Sequence, residues 1–410
     1  MKASPSRFAW LNRTALGVIV ATFFSDVGHE MATAVLPLFL AGMGLGPSTL
    51  GMVEGLADLL ASVAKLAGGV AGHHLERKKT VGTLGYLVTA LGTFGLAFAQ
   101  SATQIVSLRA AAWTGRGFRS PLRDFILSDA VAPTHFGRVY GVERAADMFG
   151  ALVGPLIAAF LLWMGIGLRT VILVSLAPSL MAAASFFFLT TEAPRSLDGT
   201  VPPRRRTLDA LRAIPRSYWA LVVGVFIFGL GDFSRTFLIF LAVPAKPEGA
   251  AAHAATASAV LGTAVLLYMM HNAVSAAFAF AAGHLGDRYR KLPVLAIGYG
   301  VGTATHLLLA FGTVTTGMLA LAFVMSGVTV AIEETLEKAS CAELLPRELR
   351  SLGLGVLAAA NGVGDMVSSL FVGFALEHGS RRLAFGVPAV LAFVGTMWIA
   401  AFATRRPTAA

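Results

Sequence analysis

Apolar runs of about 20 residues, the length that one helical membrane crossing needs, recur twelve times in this chain. They lie at roughly 14–40, 47–70, 80–99, 103–130, 139–163, 168–190, 217–243, 257–283, 293–311, 316–343, 351–376 and 383–403. A chain patterned this way must satisfy its backbone polar groups without water, which leaves helices or a closed barrel. Barrel strands would be about half as long and would alternate in polarity; these runs do neither. The reading is an all-α membrane protein with twelve transmembrane helices. Hydrophobic residues make up 56% of the 410 positions and charged ones 13%, a balance that does not suit a soluble globule.

Basic residues set the orientation. Odd-numbered connections carry Arg169, Lys246, Arg381 and Arg382, whereas the termini and even-numbered connections carry clusters such as Arg77-Lys78-Lys79, Arg204-Arg205-Arg206, Arg288 to Lys291 and Arg405-Arg406. By the positive-inside rule both termini are expected in the cytoplasm, with the protein multi-pass in the cell inner membrane. The net charge of +10 is what such loops produce, and it calls for a lipid bilayer around the chain but no nucleic-acid partner. Cys341 is the single cysteine, so neither an intramolecular disulfide nor a thiolate metal cluster is available. The apolar run after the short basic start lacks a small-residue cleavage site, so no cleavable signal is expected.

A polar stretch at 191–216, with Pro194, Pro202, Pro203 and the triple arginine, separates six runs from six. The expected organisation is an N-terminal six-helix bundle at 1–190, a cytoplasmic linker at 191–216 and a C-terminal six-helix bundle at 217–410. The halves align at a constant offset of 214, with Gly69 and Gly72 on Gly283 and Gly286, Asp129 on Glu343, Gly141 on Gly355 and Gly150 on Gly364. Runs 1 and 7 align at an offset of 206, Asp26 on Asp232 and His29 on Arg235, because the loop before run 8 is longer.

After run 8 the chain reads Gly283-His-Leu-Gly-Asp287-Arg288-Tyr-Arg290-Lys291, which resembles the loop signature of the major facilitator superfamily. The copy after run 2, Gly69-Val-Ala-Gly72-His73-His74-Leu-Glu76-Arg77-Lys78-Lys79, keeps the glycines and the basic run and loses the Asp-Arg pair. Gly150-Ala-Leu-Val-Gly154-Pro155 in run 5 resembles the glycine-rich signature of the family's proton-coupled exporters, although Gly-x-x-x-Gly also serves plain helix packing. The stretches Phe24 to Met31, Gly115 to Asp124 and Glu334 to Ala339 resemble prokaryotic efflux-type permeases of the same superfamily. The resemblance implies two parallel repeats rocking about a midplane site, with gating by the Asp287-Arg288 loop and by Gly150, Gly154 and Pro155. It also implies a monomer and a cavity lined by runs 1, 4, 7 and 10.

Charge inside the runs locates the chemistry, because a guanidinium in a bilayer normally faces a cavity or a partner. Arg116, Arg119 and Arg123 recur at spacings of three and four, on one helix face. Arginine suits bidentate recognition of carboxylate, phosphate or sulfate; internal pairing with acids is the blander alternative. At the 214 offset, Arg119 and Arg123 correspond to Glu333 and Glu337, and Asp124 to Lys338. Opposed basic and acidic faces serve either as a gate between the halves or as grips for a zwitterion. Asp26, His29 and Glu30 in run 1 crowd two carboxylates within one turn. A carboxylate that can take up and release a proton is what proton coupling requires, and Asp58 in run 2 is a third candidate. His29 with two carboxylates also suits a transition metal, but that reading needs a second histidine or a cysteine nearby, and His271 and His306 are candidates that the sequence does not place, so no metal site is assigned. Asp232 and Arg235 are the run 7 equivalents.

Phosphate-loop, nucleophile-elbow and HExxH patterns are missing from the sequence, so neither an enzyme nor a cofactor is expected. The sequence reads as a secondary active transporter of a small anionic or zwitterionic solute, coupled to protons, with export favoured. Efflux of a metal or a cationic drug through Asp26, His29 and Glu30, or a non-transporting sensor or assembly factor on the same scaffold, are the alternatives.

Overall fold

The computed structural model describes residues 10–43, 47–192, 206–235, 237–238, 241 and 250–405, with the side chains at 37, 41, 47–58 and 250–265 outside that description. Among the described residues every regular element is helical. The helices of the first half are α1 (Arg13–Gly42), α2 (Pro47–His74), α3 (Lys78–Gly95), α4 (Ala102–Asp129), α5 (Phe136–Trp163), α6 (Leu168–Val174) and α7 (Leu176–Leu189). A short α8 (Thr207–Arg212) precedes α9 (Arg216–Gly229), α10 (Ala250–Tyr289), α11 (Lys291–Phe311), α12 (Thr316–Leu344), α13 (Arg347–Glu377) and α14 (Arg381–Arg405). Eight helical stretches among the described residues are long and apolar enough to cross a membrane.

The internal repeat extends to the helix ends. Ser101 caps α4 by accepting from the Gln104 N–H, and Thr315, its equivalent at the 214 offset, caps α12 by accepting from the Met318 N–H. Each hydroxyl satisfies one of the donors that a helix start leaves open. At the other end of the hairpin Gly165 and Gly379, again 214 apart, stop α5 and α13 at φ of 80° and 74°. The following amides close the turn, Ile166 N on Leu161 O and Ser380 N on Ala375 O, both at 3.0 Å. This is the glycine-terminated helix end that satisfies orphan carbonyls.

Three features depart from simple periodicity. The sixth run is two helices meeting at Ser175, where Pro178 has no N–H to offer the preceding turn and the Ser175 hydroxyl bonds the Ile172 carbonyl at 2.7 Å. The seventh run is not continuous over 217–243: α9 ends at Gly229 and the chain turns through 230–235. Gly231 lies against α14 there, and a methyl at that position would stand 2.7 Å from the Ala392 nitrogen. The alanine-rich stretch from Ala250, ahead of the 257–283 run, is the first part of α10, as the high helix propensity of alanine allows.

Helices α1–α7 pack among themselves, as do α9–α14, and the two sets meet chiefly where α10 lies on α5 and α13 on α2. Both seams are glycine contacts. A methyl on Gly141 would sit 2.5 Å from the Ala279 carbonyl, and one on Gly355 would sit 2.7 Å from the Gly69 Cα. Gly141 and Gly355 are repeat equivalents, so the seam is as two-fold as the sequence. Both contacts lie toward the end of the bundle where α1 begins and α14 ends, called here the terminal face.

Alanine at Gly165 or Gly379 forces an L-residue into the left-handed region at a cost of about 1–2 kcal/mol. Each substitution is expected to lower the thermal midpoint of the purified protein, and the double variant by the sum. A midpoint unchanged in both single variants would refute the cap assignment.

Candidate functional site

The arginine face of α4 is interior, and its members differ in how they are compensated. Arg116 Nη2 meets Asp26 Oδ1 of α1 at 2.5 Å and lies 3.9 Å from Asp147 of α5. Asp147 also takes Arg144, whose Nη1 reaches across to Glu334 of α12 at 2.8 Å. Arg123 pairs with Asp124 at 2.8 Å and with Glu143 at 2.9 Å. Lys338 of α12 approaches both of those acids at 3.7 Å from the other half. Arg109 is fully buried and donates to the Thr33 hydroxyl at 3.0 Å.

Arg119 is different. Its residue is 1% exposed, its Nη2 donates to Ser25 Oγ at 2.7 Å, and its guanidinium lies 3.7 Å from the centre of the Tyr86 ring. Nε and Nη1 have no hydrogen-bond partner, and among the described residues no carboxylate stands within 4.0 Å of it. Gly85 creates the space, since a methyl there would be 2.7 Å from Arg119 Cβ.

The second half is acidic around the break after α9. Asp232, 6% exposed, holds Arg235 at 3.1 Å. Glu333 is 2% exposed, and one oxygen accepts a 3.5 Å contact from the Asn361 amide while Oε2 is unpartnered. Glu337 accepts the Tyr299 hydroxyl. Asp365, one turn beyond Asn361 on α13, has a buried Oδ1 without a partner. Glu337 and Arg123, the pair at equivalent positions, are not joined: each is held within its own half, and Lys338 makes the crossing.

The terminal face is closed by a second layer. Asp287, at the end of α10 and with a fully buried side chain, accepts the Gly137 and Arg138 N–H groups at 2.8 and 2.9 Å. It therefore caps the start of α5, where a carboxylate also meets the favourable end of the helix dipole. Lys291 ties Asp287 at 3.4 Å to Glu343 at 2.7 Å. Asp129 of α4 takes a bidentate hydrogen bond from Arg347 of α13. His73 stands at the repeat position of Asp287 and faces the Glu348 carbonyl at 3.0 Å.

Other sequence candidates fall elsewhere. Gly150 and Gly154 form the α5 seam with α1, where added methyls would stand 2.6 Å from the Phe23 carbonyl and 2.7 Å from the Val27 carbonyl; Pro155 follows on the same helix. Arg288 is exposed, its guanidinium over the Tyr289 ring. Glu30 is half-buried one turn past Asp26, and the side chains of Glu54 and Asp58 lie outside the described residues. His29 is buried against Trp113, ring centres 5.0 Å apart. His271 and His306 belong to the other half, against Phe323 and Phe233. Among the described residues no group of three or more His, Cys, Asp or Glu side chains is arranged to hold a metal ion.

Sequence reasoning passed over Glu143 and Arg144. The signal was present, since both lie inside the 139–163 run, where a charge needs the same explanation as Arg116.

Two repeated sets of membrane helices meet at a seam lined with charged side chains. The sequence profile of the Major Facilitator Superfamily matches residues 18–265 and 230–410: the chain belongs to that family of membrane transporters. An uncharacterized MFS-type transporter of Methanocaldococcus jannaschii is 25% identical over 379 residues, 91% of this chain and 90% of that one. Among solved structures, the human organic anion transporter MFSD10 superposes with a TM-score of 0.72 at 13% identity, covering 94% of this chain and 99% of that one. A bacterial homologue of the iron transporter ferroportin in an outward-facing state gives 0.72 at 12% identity, covering 96% and 100%.

Lys338 neutralises two acids of the opposite half, so Lys338→Met is expected to weaken the closed terminal face by about 2 kcal/mol, less than a fully buried pair because its side chain is 22% exposed. The readout is maleimide labelling of Ser351→Cys, 1% exposed at the α2–α13 seam, in a Cys341→Ser background. Equal labelling rates with and without Lys338 would remove it from the closure.

Proposed function

We propose that the protein moves a small anionic or zwitterionic solute across the cell inner membrane by alternating access, driven by protons. The six-helix bundles of 1–190 and 217–410 rock about the charged seam, joined by the 191–216 linker. The observation that carries the reading is Arg119, a guanidinium 1% exposed with two nitrogens unpartnered. It leaves the first half with positive charge that an anion would offset. Arg116, with its side chain 22% exposed, is the contact group, and Arg119 and Arg123 set the field behind it. Asp232, Arg235, Glu333 and Glu337 form the facing wall. MFSD10 being an organic anion transporter is in keeping with this choice, as an analogy of fold alone.

Asp26 is the first proton carrier in this reading, because a proton there would release Arg116 for the solute; Glu30 and Asp58 are the further candidates. With the basic loops in the cytoplasm, the closed terminal face is the cytoplasmic one. Export is the favoured direction, on the resemblance of Gly150 to Pro155 to exporter sequences. The protein works as a monomer, with the solute, protons and lipid as its partners. Metal efflux through Asp26 and His29 is the weaker reading, since Arg116 and Trp113 already occupy those side chains.

A thermal-shift screen of the purified protein against anionic, zwitterionic and cationic solutes and divalent metals tests the class. Stabilisation by an acid or zwitterion is expected to fall about tenfold or more in apparent affinity in Arg119→Ala, through loss of the positive field behind Arg116. Stabilisation by a metal or lipophilic cation, retained in that variant, would reverse the assignment. For the solute so identified, Asp26→Asn is expected to keep counterflow exchange in proteoliposomes and to lose accumulation driven by a pH gradient. Undiminished accumulation would move the coupling site away from Asp26.

A further inference from the structure

Unpartnered charged and amide atoms near the seam differ in sign between the two halves. In the first half the buried atoms without a partner near the seam are mostly donors: Arg119 Nε and Nη1, Arg116 Nη1 and Trp113 Nε1. In the second half the unpartnered carboxylate and amide atoms are acceptors: Glu333 Oε2, Asp365 Oδ1 and Asn361 Oδ1. Arg119 and Glu333 occupy the same repeat position, 214 residues apart, at 1% and 2% exposure. Neither has an opposite charge within 4.0 Å among the described residues. The fold's pseudo-symmetry therefore sets an uncompensated guanidinium and an unpaired carboxyl group at corresponding places on opposite sides of the seam. A buried charge left in this condition is costly, and an occupant with matching ends offsets both.

The break after α9 adds to the negative side. The carbonyl end of that half-helix lies beside Asn361 and Gly364, with the Gly229 backbone against Gly364, and a helix C-terminus favours positive charge. More accessible groups stand in front of each buried one: Arg116 at 22% side-chain exposure before Arg119, and Glu334 at 34% beside Glu333. The Arg144–Glu334 bridge between them is the protein's own version of the contact that such a ligand would replace.

We propose that the solute is a zwitterion held across the seam, its anionic group toward Arg116 and Arg119 and its ammonium group toward Glu333, Glu334 and Asp365. This rests on the transport reading and narrows it. The test is thermal stabilisation of the full-length protein by matched probes at two lengths: 4-aminobutyrate with butyrate and butylamine, and 6-aminohexanoate with hexanoate and hexylamine. For at least one length the amino acid is expected to stabilise at roughly tenfold lower concentration than either one-ended analogue, the gain of a second charge-assisted contact. Glu333→Gln, which preserves shape, should abolish that advantage while sparing the response to the carboxylate; Asp365→Asn is the second variant should the first not fold. Equal stabilisation by acid and amino acid, unchanged in both variants, would overturn the zwitterion and leave an anion transporter standing. A response to neither class of probe would overturn it as well, with the solute screen on Arg119→Ala remaining the separate judge of transport.

Discussion

Everything in this molecule is arranged around the cost of holding ionised groups where water is scarce. Arg116, Arg123 and Arg144 are tolerable because each meets a carboxylate of a different helix within 3 Å, Asp26, Glu143 and Glu334 in turn. The ion pairs thereby fix how α1, α4 and α5 stand to one another, and through Glu334 and Lys338 how the first half stands to the second. Removing any one partner strands another inside the protein, which is why the network acts as a unit.

Ions and glycines divide the labour of closure. Glycine contacts at Gly137, Gly141, Gly69 and Gly355 bring backbones of the two halves together, and the flanking charges decide when that approach is stable. Asp287 joins both devices: it lies one turn past Gly283 and caps the helix that Gly283 touches. In the other half its place is taken by His73, which faces a carbonyl. The terminal face is therefore two-fold in its packing and lopsided in its electrostatics.

The fold was legible in the sequence because its determinants are local or repeated. Apolar length gave the spans, and the 214 offset gave the duplicated glycines, though not that Gly69 would meet Gly355 and Gly137 would meet Gly283. Breaks were harder to read, since a membrane helix tolerates glycine and proline and the turn after Gly229 depends on a neighbour, α14. Within the site, spacing placed Arg116, Arg119 and Arg123 on one face. It did not rank them, because burial and pairing are set by α1, α3 and α5 together. Spacing put Arg119 in the same class as Arg116, whereas Gly85 and Tyr86, on a helix with no charge near them, are what enclose it. Offset alone also invited a Glu337–Arg123 bridge, and the crossing is made by their neighbour Lys338.

A seam of backbone against backbone has a mechanical consequence. Side chains that interlock must leave one rotamer and find another each time two surfaces part, and that ordering is lost and regained at a cost in conformational entropy. Glycine has no rotamer to lose. Where Gly69 meets Gly355 and Gly137 meets Gly283, the halves touch like two smooth plates: no side chain is frozen when they close and none must be withdrawn when they open. The seam can then be held or released by a handful of charges, and the same surfaces can meet again, turnover after turnover, in an unaltered register.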